Sequence, residues 1–168
     1  QIVAALSHLR NHHIAHRDLK TSNVLLKGKV VKLADFGLAV LCEKEREETL
    51  EVIGETTHVA PEIINGPVHD TRCDLWSLAL VACDMVMDEY PLSDCNTSTS
   101  YPEKIWSCEE FPKNLSPEFV AFVLGLLKRE PTERYGAENV EDLLKQPFLL
   151  KDTRSNVRGR IHTLGQEE

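Results

Sequence analysis

The eight residues His16–Asn23, HRDLKTSN, decide how the rest of the chain is read. They hold His16, Arg17 and Lys20, the carboxylate of Asp18 and the carboxamide of Asn23, with Leu19 the one apolar side chain. Inside a helix or strand of a core, so many polar groups lack partners, at roughly 2–7 kcal/mol for each buried amide or hydroxyl. Yet the flanks are apolar: IVAALSHL at residues 2–9 and VLL at residues 24–26. This arrangement predicts a polar loop held rigidly between two regular elements, the usual placement of a functional site.

Upstream, Ile2, Leu6 and Leu9 recur at helical spacing, which predicts a helix over residues 1–10 with Asn11 as its stop. Downstream, VLL (24–26), the KGK turn (27–29) and VVKLA (30–34) predict a small β-hairpin with Gly28 at its tip. CEKEREETLE, residues 42–51, has no apolar period and reads as a solvated loop. From Asp70 to Met87 the apolar residues surround the helical circumference, which predicts a centrally buried helix with Trp76, Met85 and Met87 in the core. Ser116–Pro117–Glu118 carries helix-start chemistry and FVAFVLGLL follows it, while Glu138–Leu144 reads as a last short helix. Residues 1–150 therefore form one domain, and residues 151–168 a polar, fraying extension.

A length of 168 residues suffices for one sizeable core, and 42% hydrophobic with 27% charged residues is ordinary globular composition. The net charge of -8 argues against nucleic acid or an anionic membrane as the main partner. No apolar run reaches the ~18–20 residues that span a bilayer. Gln1 opens into an amphipathic pattern with neither start methionine nor signal peptide, so the expectation is a piece of a longer cytoplasmic protein. Cysteines at 42, 73, 83, 95 and 108 are odd in number and none forms a CxxC pair, which predicts reduced thiols. His8, His12 and His13 have no carboxylate cluster beside them and read as solvated histidines near a helix end.

Three segments follow one another in order: HRDLKTSN (16–23), DFG (35–37) and APE (60–62). Together they resemble the signature set of eukaryotic-type serine/threonine protein kinases. DFG alone is a weak signal; the ordered set, with a hairpin between the first two and a buried helix after the third, is a strong one. The resemblance runs over residues 1–150 and implies a mainly α fold, the helical C-terminal lobe of the kinase fold with a small β-hairpin. It implies ATP and Mg²⁺ as cofactors and a protein Ser/Thr hydroxyl as acceptor. By the same resemblance, Asp18 orients the hydroxyl and takes its proton, Lys20 meets the γ-phosphate, and Asn23 and Asp35 are the Mg²⁺ ligands. Leu25 matches the apolar floor under the adenine and is equally ordinary hairpin core. His16 is a packing element and Arg17 the anchor for an activation-loop phosphate, with Thr49, Thr56 and Thr57 as candidate phosphosites. Asp74 matches the buried-helix aspartate that holds the catalytic loop, and Glu62 with Arg134 resembles a buried ion pair.

The chain also departs from the family. In the family the glycine-rich loop, the strand lysine with its helix glutamate partner and the hinge lie upstream of the matched segments and none is present, while Lys27, Lys29 and Lys32 follow HRD and cannot serve as that lysine. The chain alone is therefore expected to be inactive. In GETTHVAPE, Glu55 stands where the family usually has threonine, His58 where it has tyrosine, and Ala79 replaces a glycine after DLWS. Glu51, in an acidic run, is read either as a stand-in for an activation-loop phosphate or as part of a solvated charge run. By the same resemblance, the segment Pro102–Trp106 lies in a region that contributes to substrate or partner docking, which makes it a candidate partner site. A scaffold or interaction module that keeps the kinase fold is the rival function.

Overall fold

A computed structural model describes residues 1–42, 47–48, 58–65, 68–87 and 111–150. The first helix, α1 (Ile2–Asn11), buries Val3, Leu6, Ser7 and Leu9 on one face. It ends where His13 takes a left-handed φ of 56° and its N–H donates back to the Arg10 carbonyl. Next come β1 (Ile14–Ala15), a 3-10 turn at Thr21–Asn23, β2 (Val24–Lys27) and β3 (Val30–Leu33). Then follow β4 (Val40–Leu41), β5 (Glu47–Glu48), α2 (Pro61–Asn65), β6 (Val68–His69) and α3 (Cys73–Val86). The chain continues with α4 (Pro117–Leu126), 3-10 turns at Pro131–Glu133 and Val140–Lys145, and α5 (Pro147–Leu150).

The central helix is α3. Every residue from Cys73 to Val81 is buried, polar Asp74 and Ser77 included. α4 packs beside it through Phe119, Phe122, Val123 and Leu126. Ser116 starts α4 by accepting from the Phe119 N–H at 3.2 Å, and Pro117 occupies the first turn, where a missing N–H costs no hydrogen bond. α1 lies against the Val140–Lys145 turn, where the Ser7 hydroxyl donates to Glu141 at 3.3 Å. Arg10 donates to the Gly136 and Ala137 carbonyls from the same helix; burial, with Arg72 nearby, lowers its pKa from the ordinary arginine value.

Among the described residues the strands form three two-stranded antiparallel pairs, β1–β4, β2–β3 and β5–β6. In β2–β3, Val24 faces Leu33 and Lys27 faces Val30, and Gly28 supplies the left-handed φ of 63° that the two-residue turn needs. The Gln1 side chain grips this hairpin's edge, donating to the Lys29 carbonyl and accepting from the Val31 N–H, each at 2.9 Å. In β1–β4, Ile14 faces Leu41, which brings the chain after DFG back beside the entry to the polar loop.

Several expectations are corrected here. Among the described residues, six strands in three sheets stand where a single hairpin in a mainly helical fold was expected. One of those strands, β5, lies in the acidic run read as loop, because Glu47 and Glu48 find backbone partners in His69 and Val68. The central helix begins at Cys73 and not Asp70, because the Asp70 carboxylate accepts from the Arg72 N–H at 2.8 Å and holds a turn there. Met85 is 48% exposed, so the all-round burial of α3 stops before its last turn, although Met87 is buried. The last predicted helix is a 3-10 turn, Val140–Lys145, whose N–H of Glu141 is capped by the Asn139 side chain at 3.0 Å. Leu25 is 51% exposed on β2, so its reading as hairpin core is also corrected. Among the described residues no helix is long and apolar enough to cross a membrane. Cys42, Cys73 and Cys83 are free and buried, while Cys95 and Cys108 lie outside the described residues, as do residues 151–168.

Candidate active site

Directly after β1 the chain enters His16–Asn23. Asp74, on the buried face of α3 and 3% exposed, accepts from two successive backbone N–H groups, His16 at 2.8 Å and Arg17 at 2.9 Å. One carboxylate thereby fixes the entry of the loop, where Arg17 adopts a left-handed φ of 64°. Burial pushes the Asp74 carboxyl above its usual range, while those two N–H groups pull it back.

His16 is fully buried. Its Nε2 lies 3.0 Å from the Ala34 carbonyl, which can only accept, so the ring proton sits there and Nδ1 is left to accept from the Asp18 N–H at 3.4 Å. Its ring also packs against Phe36, with centroids 4.7 Å apart. The imidazole thus ties the polar loop to the DFG segment.

The 3-10 turn Thr21–Asn23 folds Asn23 back over Asp18. The Asn23 amide nitrogen donates to the Asp18 carbonyl at 2.8 Å and to Asp18 Oδ2 at 2.9 Å. Since a carbonyl only accepts, this fixes the orientation of the amide and leaves Oδ1 as its acceptor. Lys20 Nζ lies 3.2 Å from Asp18 Oδ2. The hairpin then returns the chain to the same place: the Ala34 N–H donates to the Asn23 carbonyl at 2.9 Å, so Asp35 follows directly on a residue bonded to Asn23. Asp35 has a left-handed φ of 59°, and its Oδ1 accepts from the Gly37 N–H at 3.2 Å. A Cβ at Gly37 would also sit 3.2 Å from that oxygen, a tight approach. Arg17 Nε donates to the Leu38 carbonyl at 2.7 Å, which directs this side chain at the segment leaving DFG.

Away from this cluster, the Glu62 and Arg134 side chains meet in a two-pronged pair, both N···O distances 2.6 Å. The Arg134 side chain is completely buried and its remaining donors reach the Lys128 and Arg72 carbonyls, both at 2.9 Å. Its guanidinium carbon lies 5.4 Å from the centre of the Trp76 ring. Thr49, Thr56 and Thr57, together with Glu51, Glu55 and Pro102–Trp106, lie outside the described residues.

Asp18, Lys20, Asn23 and Asp35 are thus gathered around one hairpin base, with His16, Arg17 and Asp74 supporting them. A carboxylate, Asp35, and an amide oxygen, Asn23 Oδ1, are hard oxygen donors of the kind that could hold Mg²⁺. Among the described residues there is no group of three or more His, Cys, Asp and Glu side chains suited to a metal. One residue was not anticipated. Asp84 Oδ2 accepts from the Thr21 hydroxyl at 2.5 Å and lies 2.8 Å from His58 Nε2. The available signal was a second carboxylate on the apolar α3 helix, ten residues after Asp74.

Comparison with known proteins bears on the same residues. The family model for the protein kinase domain matches residues 1–149. A probable serine/threonine-protein kinase of Dictyostelium discoideum is 34% identical over 151 residues, covering 89% of this chain and 33% of that protein. Serine/threonine-protein kinase PLK4 of Drosophila ananassae is 32% identical over 166 residues, covering 98% of this chain and 21% of that protein. PLK4 of Drosophila willistoni is 33% identical over 152 residues, or 90% and 19%. The chain therefore spans a third or less of the length of these relatives. Because the kinase-domain match begins at residue 1 and takes in the strands, the reading as a helical C-terminal lobe alone is corrected. From residue 1 to residue 149, this chain belongs to the protein kinase domain family.

Proposed function

We propose that the protein carrying these residues transfers the γ-phosphoryl group of Mg-ATP to serine or threonine hydroxyls of protein substrates. The observation that carries this is the cluster at the hairpin base, in which Asn23 and Lys20 both bond the Asp18 carboxylate. Phosphoryl transfer needs an aligned hydroxyl and positive charge against the phosphate oxygens, and little covalent work by the protein. Asp18, held by Asn23, accepts the hydrogen bond of the incoming hydroxyl and takes its proton. Lys20 lies beside Asp18 and places an ammonium where the γ-phosphate accumulates charge. Asn23 Oδ1 and the Asp35 carboxylate would hold Mg²⁺, which when bound neutralises phosphate charge. Leu25, exposed on β2, offers an apolar surface to the adenine. Arg17 anchors the activation segment, whose candidate phosphorylation sites are Thr49, Thr56 and Thr57.

The 168 residues by themselves are proposed to transfer phosphate at no useful rate, since the sequence contains no glycine-rich phosphate loop. Protein substrates and a regulatory protein are the partners this reading carries, within the cytoplasm, and the net charge of -8 disfavours nucleic acid and anionic membranes. One sequence feature favours a second reading as an interaction module: Glu55, which puts a carboxylate where the family usually has threonine. The intact protein, incubated with radiolabelled ATP, Mg²⁺ and a mixed protein acceptor, should yield phosphoserine and phosphothreonine, and nothing when Mg²⁺ is chelated. Label only on tyrosine refutes the serine/threonine assignment. No transfer under any condition favours the interaction module.

A further inference from the structure

The catalytic loop is held to α3 near both of its ends. Asp74, at the start of α3, takes the N–H groups of His16 and Arg17. Asp84, about three turns and ~15 Å further along the helix, takes the hydroxyl of Thr21, the first residue of the 3-10 turn that carries Asn23. The same oxygen, Oδ2, also receives His58, three residues before Pro61. At 2.5 Å the Thr21 bond has the length of a charge-assisted O–H···O⁻ contact. Ser77, two turns before Asp84 on α3, donates from its hydroxyl to the His58 carbonyl at 2.8 Å, so both the ring and the backbone of His58 are fastened to this helix.

We propose that Asp84 is a positioning residue that couples His58 to the catalytic loop, so that the protonation state of His58 is felt at Thr21, Lys20 and Asp18. When His58 is an imidazolium it forms an ion pair with Asp84 Oδ2; when neutral it offers that oxygen only an N–H. The oxygen that binds Thr21 therefore changes its effective charge with His58, and a short, charge-dependent bond responds. Thr21 is directly bonded in sequence to Lys20, and the turn it opens places Asn23 on Asp18. The titratable and charged groups on the elements packed together here are Cys73, Asp74, Cys83 and Asp84 on α3, His16, Arg17, Asp18 and Lys20 on the loop, and His58 and Glu62 around α2.

The consequence for catalysis rests on the phosphoryl-transfer reading, but the coupling does not, and the experiment separates them. An NMR pH titration of the 168-residue chain follows the His58 ring and the backbone amides of Asp18, Lys20 and Thr21. The expected result is a shared midpoint: those amides shift as His58 titrates. His58→Gln and Thr21→Val each abolish the amide response, Thr21→Val leaves the His58 ring titrating, and Thr21→Ser restores the response. Amides that ignore His58 in the parent chain, or that still follow it in Thr21→Val, overturn the proposal. Neither outcome depends on whether the chain transfers phosphate.

Discussion

At the scale of single residues, Asp74 shows what a buried carboxylate does when backbone donors meet it. Its two oxygens are occupied by the His16 and Arg17 N–H groups. Asp74→Ala leaves both without partners, and an unsatisfied buried group costs about 1–3 kcal/mol; urea unfolding should show a loss of that order or larger. The pH dependence has a definite sign. Burial raises the Asp74 pKa above 3.8 in the folded state. Its contribution to stability is therefore full below about pH 3.8 and lost as the pH rises through the folded value. The stability difference between the parent and Asp74→Ala should accordingly shrink as pH rises across that window; a difference that grows contradicts the assignment. Cys83 behaves in the same sense, since burial and neighbouring Asp84 push its thiol from 9.0 to about 12. Its contribution is complete below pH 9.0 and lost as the pH rises through about 12. Alkylation at pH 8 followed by peptide mapping should leave Cys83 unmodified in the native chain and modified in denaturant. Rapid native alkylation would show the thiol to be accessible.

Elements add constraints that no single residue reveals. Gly125 lies near the end of α4, where alanine would ordinarily stabilise a helix by about 1 kcal/mol. Here a Cβ would stand 2.1 Å from Cε2 of Tyr135, whose N–H also donates to the Gly125 carbonyl at 2.8 Å. Steric overlap wins, so Gly125→Ala should destabilise by roughly 1–3 kcal/mol. In a Tyr135→Ala background the same change should turn neutral or stabilising, and a double-mutant cycle on thermal or urea midpoints reads the coupling. If Gly125→Ala costs the same in both backgrounds, the tyrosine is not the cause. Local patterns made α1, the β2–β3 hairpin and the Ser116 start of α4 legible, because spacing, turn glycine and cap all act within a few residues. The strand β5 was not legible: its partner His69 lies 22 positions from Glu47, and the acidic composition around it resembles any solvated loop. The Thr21–Asp84–His58 bridge was hidden for the same reason, its members lying 63 and 26 residues apart. At the candidate site, Asp18, Lys20, Asn23 and Asp35 are named through the resemblance of HRDLKTSN and DFG to the kinase motifs, and the structure brings Asn23 and Lys20 onto the Asp18 carboxylate. Leu25, by contrast, could not be placed inside or outside the core by its sequence neighbours.

Across the whole molecule, long-range polar contacts join regions that the core alone would leave free to slide. Glu62 on α2 and Arg134 in the loop after α4 are 72 residues apart, and the arginine side chain is completely buried. Removing one partner strands a buried charge, so Glu62→Ala should cost about 3–5 kcal/mol. Replacing both partners with apolar residues of similar volume, Glu62→Leu with Arg134→Met, should recover much of that loss in the unfolding free energy. A double variant no more stable than Glu62→Ala would mean that the carbonyl contacts of Arg134, and not the ion pair, carry the effect. The Asp74 anchor and the His16 contact to Ala34 converge on one outcome, a loop held in place that carries Asp18. That convergence is tested most directly by single-turnover phosphoryl transfer in the intact protein, comparing the parent with Asp18→Asn at saturating Mg-ATP. The account predicts a rate lower by about 10²–10⁴-fold with ATP affinity essentially unchanged. Transfer by Asp18→Asn at the parental rate would contradict it.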